Sequence, residues 1–243
     1  QTITNGYTGS ASVGTVSFSG AGGITLANAS TGADTLLTLS DDTRLTVTGP
    51  INTVAATRAA YVQKITINGS ATLTSASFSN TATNAAGGLR ITCAASATGS
   101  FHTTGAMTFN GAATAAATVT AVMDTCHLHA GALLTMASGS TGGAMTISST
   151  TGLLQADTGV TFSGTSARNF NISSTGTFQL TGTMSANGTL AMNAVSHMKT
   201  VGTAAINGAY TWGTGDITGT GTTTFGAIQT FADYLTVGDT VNA

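Results

Sequence analysis

The sequence predicts an all-β chain wound as a three-faced parallel β-solenoid (a β-helix) of roughly nine coils, about 40 Å long at the usual spacing between stacked strands. Three observations predict it. Residues 142–164, "GGAMTISSTTGLLQADTGVTFSG", are followed by a respelled copy at 166–188, "SARNFNISSTGTFQLTGTMSANG". Apolar residues recur in three columns, once per copy. And the composition lacks most strong exposed helix formers: there is no Glu, Lys and Arg together number six, and Gly is frequent at 32.

The repeats run from "GGITLANASTGADTLLTLSDDTRLTVTG" at 22–49 through 63–80, 87–111, 116–139 and the two segments above to "TLAMNAVSHMKTVGTAAING" at 189–208. Each unit holds three short strand-like runs bounded by Gly, Ser or Asn. Period-2 alternation turns one set of side chains inward. The first run contributes Ile65 and Ile67, Ile91 and Cys93, Met145 and Ile147, Phe170 and Ile172, and Leu190 and Met192. The second run contributes Leu73, Phe101, Cys126, Leu154, Phe178 and Met198. The third contributes Phe78, Phe109, Met136, Phe162, Ala186 and Ile206, with Met107, Leu134, Val160 and Met184 two residues earlier. Each large inward side chain is worth ~1.5–3 kcal/mol of burial. The alternative is an antiparallel β-sandwich or jelly roll. Asn-Gly, the strongest short hairpin signal, occurs five times. The predicted organisation is a single domain over 1–243, with 1–20 and 227–243 as end or assembly segments.

Charge narrows the function classes. Only 6% of the 243 residues are charged, and the net charge is -2. Nucleic acids and anionic membranes select clustered Lys and Arg, which this chain lacks. No apolar run reaches the ~18 residues of a membrane span. The chain opens on Gln1, as expected of one whose leader has been removed or which has been trimmed. So few charges suit a protein packed against copies of itself.

The sharpest polar feature is His127-Leu128-His129, whose imidazoles share one side of a strand. Stacking the units places His102 below His127, Gln155 above His127 and Asp157 above His129. His102, His127, His129 and Asp157 could then serve Zn²⁺ or Cu²⁺. The favoured reading is a plain outward polar ladder, and no metal or cofactor is assigned. Cys93 and Cys126 fall on different faces and are expected to be buried free thiols. The acids are scattered, and the adjacent pair Asp41-Asp42 reads as a solvated turn, so no catalytic residue is assigned. An outward threonine column, Thr66, Thr92, Thr120 and Thr146, raises ice binding as a minor reading. Sequons occur at Asn28, Asn68, Asn171 and Asn187.

Repeats such as "GAMTFNG", "GVTFSG" and "ITGTGTTTFGAIQTFADYLTVGD" resemble the passenger regions of autotransporters and haemagglutinin-type adhesins. The resemblance implies an exported, fibrous protein used for attachment or as a surface coat. The expected function is a non-catalytic structural subunit of an extracellular filament, sheath or coat. Its expected partner is itself, end to end through exposed β edges. The alternative is an adhesin or phage-fibre-type module that binds surface glycans. Neither reading calls for an enzyme, a cofactor, nucleic acid or a membrane span.

Overall fold

A computed structural model describes residues 2–3, 14–27, 35–54, 63–81, 89–93, 98–111, 119–124, 126–138, 145–149, 153–163, 168–173, 177–186, 189–192, 196–206, 209–212, 215–219, 223–226, 230–231 and 235–237. Among the described residues there are twenty-five strands and no helix. Among these residues no helix is therefore long and apolar enough to cross a membrane.

Every pairing between these strands is parallel. The antiparallel sandwich is thereby set aside. Parallel neighbours cannot be joined by a two-residue hairpin, and here each strand pairs with its counterpart one repeat away. Ten strands form one sheet, in which Gln63–Ile67 lies beside Leu89–Cys93 and Leu89–Cys93 beside Val119–Asp124. The other fifteen form a second sheet with two lanes. Ser100–Thr103, His127–Ala130 and Leu153–Ala156 stack in one lane. Met107–Gly111, Leu134–Ser138 and Gly159–Ser163 stack in the other. Longer strands such as Thr72–Thr81 run through both.

The Asn-Gly signal has a different use here. At Asn68-Gly69, Gly69 has φ +53° and the turn leads into the other sheet, not back along the same one. A Cβ on Gly69 would lie 1.8 Å from a carboxylate oxygen of Asp41, one repeat below. Only glycine fits both the backbone and the space.

Like stacks on like through the core. Ile65 pairs with Ile91 and Ile67 with Cys93, as the alternation predicts. Leu45, Leu73, Phe101, Leu128 and Leu154 form one continuous buried rung-by-rung column. Phe78 packs edge-on against Phe101 with ring centroids 5.3 Å apart, and 5.5 Å from Phe109.

The register corrects four expected positions, one of them in the first run, where Met192 and not Leu190 pairs with Phe170. Leu128, not Cys126, stands between Phe101 and Leu154. Phe78 pairs with Met107, not Phe109. Ile206 pairs with Met184, not Ala186. Each is a slip of two residues. A slip of one would turn every side chain to the wrong face, whereas a slip of two leaves the faces unchanged.

The slip at Leu128 also corrects the cysteines. With Leu128 in the rung, Cys126 falls back to the start of its strand, where the two sheets meet. Cys93 ends its own strand in the ten-stranded sheet. The two Cα atoms are 6.2 Å apart and the side chains are joined in a disulfide. Separate faces do not keep cysteines apart at the corner those faces share.

Candidate functional site

The site is built on alternation. In His127–Ala130, Leu128 and Ala130 are buried while His127 and His129 face outward. In Ser100–Thr103, Phe101 and Thr103 are buried and His102 faces outward. Apolar residues at 101, 128 and 154 hold the strands in register. The register therefore decides which polar side chains meet.

His102 pairs with His129, and His129 with Gln155. This corrects the expected arrangement, in which His102 and Gln155 flanked His127. The residues actually in register with His127 are Ser100 and Leu153. The ring of His102 stacks on His129 at 4.3 Å with 7° between planes. His127 lies parallel to His129 at 5.3 Å and 4°. His129 is thus common to both ring pairs. Its Nε2 lies 2.8 Å from Oδ2 of Asp157, and the Gln155 amide donates to Oδ1 at 2.8 Å. The expected meeting of Asp157 with His129 is present.

Burial sets the electrostatics. His102 has its pKa lowered, first by burial and then by the neighbouring His129. His127 is lowered for the same two reasons in the same order, although Gln155 beside it favours the charged ring. Nε2 of His127 is covered and has no group in hydrogen-bonding geometry. Burial works to raise the Asp157 pKa, but the bonds from Gln155 and His129 outweigh it and the net shift is downward.

Imidazole lone pairs lie in the ring plane. Three nearly parallel rings direct theirs along parallel planes, not toward one point. Among the described residues, no group of three or more His, Cys, Asp or Glu is arranged to hold a metal ion. What the cluster can do is hold and exchange protons.

The Asp41-Asp42 pair is a turn, as read. Asp41 Oδ1 accepts from the Ser70 amide at 2.8 Å and the Asp42 amide at 2.9 Å. The Ser70 bond is the main cause of a lowered Asp41 pKa. Ser70 Oγ also donates to Asp42, which has φ 57°. The threonine column is broken: Thr66 pairs with Thr92 and Thr120 with Thr146, but Thr92 pairs with Val122. Of the sequons, Asn68 donates its Nδ2 to the Leu39 carbonyl at 3.0 Å. Asn171 stands in the strand Arg168–Ser173, paired with Thr146. Asn28 and Asn187 lie outside the described residues.

Sequence reasoning misses the buried polar residues, of which Asn80 bridges two repeats. Asn80 is fully buried. Its Nδ2 donates to the Asn110 carbonyl at 2.7 Å, and the Asn110 amide donates to its Oδ1 at 2.6 Å. A side-chain amide thus stands in for a backbone rung between two repeats. The only sequence signal is an Asn at the close of a run, which also describes an ordinary turn.

No family model, curated protein or solved structure matches this chain.

Proposed function

We propose that the chain is a three-faced parallel β-solenoid that serves as a non-catalytic structural subunit of an extracellular filament, sheath or surface coat. The observation that carries this is the parallel, repeat-to-repeat pairing and the way it ends. Among the described strands, Thr2–Ile3 and Thr230–Phe231 stand at the two edges of the ten-stranded sheet, each paired on one side. An unpaired edge is a template for the next chain. A head-to-tail contact that does not close makes a fibre.

Three further points support the reading. A disulfide suits an oxidising compartment outside the cytosol. A surface with 6% charged residues suits burial against copies of itself. The adjacent acids at 41 and 42 are engaged in a turn through Ser70.

Electron microscopy of the purified protein, under non-reducing conditions and without added cofactor, tests the proposal. Filaments with an axial repeat are the expected result. Monodisperse short rods at every concentration would overturn it, and binding of such rods to a glycan array would favour the adhesin alternative.

A further inference from the structure

The histidine cluster has three imidazoles and one bonded carboxylate. Asp157 is engaged by His129 on one oxygen and by Gln155 on the other. His102 and His127 each have a ring parallel to His129 and no carboxylate of their own among the described contacts. The groups sharing this face are otherwise neutral. In the row of His129 they are Thr74 before His102 and Gln179 after Gln155. In the row of His127 they are Thr72 and Ser100 before it, and Leu153 and Thr177 after it. Charged or titratable residues come next: Lys199 pairs with Gln179, Arg44 with Thr72 and His197 with Thr177. In register each stands three rungs from His127 or His129, roughly 14 Å of backbone spacing, which is more than one screening length in physiological salt. Asp124 ends the preceding strand, three residues before His127.

We propose that the His102–His129–His127 stack is a proton-operated clasp: the rings lie against one another with His129 bonded to Asp157, and a proton taken up by His102 or His127 drives the rings apart and loosens the two strands that carry them. The one carboxylate in the cluster, Asp157, is already engaged by His129 and Gln155. An added proton must therefore sit on His102, stacked face to face on another imidazole, or on His127, whose Nε2 is covered and unpartnered. Both outcomes disfavour the closed stack. The lowered pKa values of His102 and His127 agree with this. The clasp rests on the side-chain geometry alone and stands whether or not the chain forms filaments.

Hydrogen exchange of the intact chain at pH 7.5 and pH 5.5, corrected for intrinsic chemistry, tests it. Exchange in residues 100–103 and 127–130 should quicken at the lower pH, by at most about tenfold for each histidine whose folded pKa lies below its unfolded value, because pH 5.5 is one unit below the ordinary 6.5. Residues 63–67, in the other sheet, should not follow. The paired variant His102→Gln, His127→Gln should largely abolish the acceleration. Equal acceleration in the variant, or none in the parent chain, overturns the clasp. Should the variant fail to fold, proton NMR titration of the parent's imidazoles decides. Depressed midpoints for His102 and His127 are expected, and titration of both at the ordinary histidine value overturns it.

Discussion

The strands Ser100–Thr103, His127–Ala130 and Leu153–Ala156 carry two different stacks on opposite faces. Inside, Phe101, Leu128 and Leu154 lie one above another and are buried. Outside, His102, His129 and Gln155 do the same, half-exposed. Backbone, spacing and register are shared. The inner stack gains from every added rung, because apolar area leaves water whatever the pH. The outer stack holds only while most of its rings are neutral. In a parallel sheet, stacking like on like is favourable for oil and conditional for acids and bases.

The largest effect should come from the inner stack. Phe101→Ala should cost ~3–5 kcal/mol in chemical denaturation, by the same amount at pH 7.5 and pH 5.5. A loss that depended strongly on pH would mean the two faces are not separable. Next comes Asn80→Ala, which breaks a polar contact on the inner side. It removes the partners that buried Asn80 gives to the half-buried Asn110 amide and carbonyl and should cost ~1–3 kcal/mol, again without pH dependence.

The outer stack should show itself through acid. His102 and His127 have folded pKa values below the ordinary 6.5, so the unfolded chain takes up protons first. Their contribution is whole above 6.5 and drains away as pH falls through that value toward the lowered one. Asp157, also lowered, holds its contribution above 3.8 and loses it further down. Thermal melts from pH 7.5 to pH 3 should therefore fall in two steps, and His102→Gln with His127→Gln should remove the upper one. Smallest of all is Thr74→Ala, in the rung beside His102 on the outer face, expected to shift stability by under ~0.5 kcal/mol. A loss approaching that of Phe101→Ala would contradict the assignment of faces.

Much of this was legible in the alternation. Ile65 over Ile91, Ile67 over Cys93, Met145 over Phe170 and Ile147 over Ile172 are pairings a repeat alignment finds unaided. Alternation reports the face but not the rung, because its period is two residues. That is why Cys126 was put in place of Leu128, and why His102 was matched with His127. The disulfide was hidden by the same slip. The choice between a convergent and a stacked set of imidazoles depends on side-chain torsions, on which strand patterning is silent. Asn80 was invisible for another reason: buried amide and exposed turn residue are spelled with the same letter.

The Cys93–Cys126 bond also bears on how the chain would carry load. It closes a segment containing the strands Ser100–Thr103, Met107–Gly111 and Val119–Asp124. A force pulling on the two termini passes through the sulfur bridge and bypasses those strands. The intervening chain, a sequence separation of 33 and roughly 110 Å drawn out at the usual length per residue, is kept out of the line of tension until the bridge is cut.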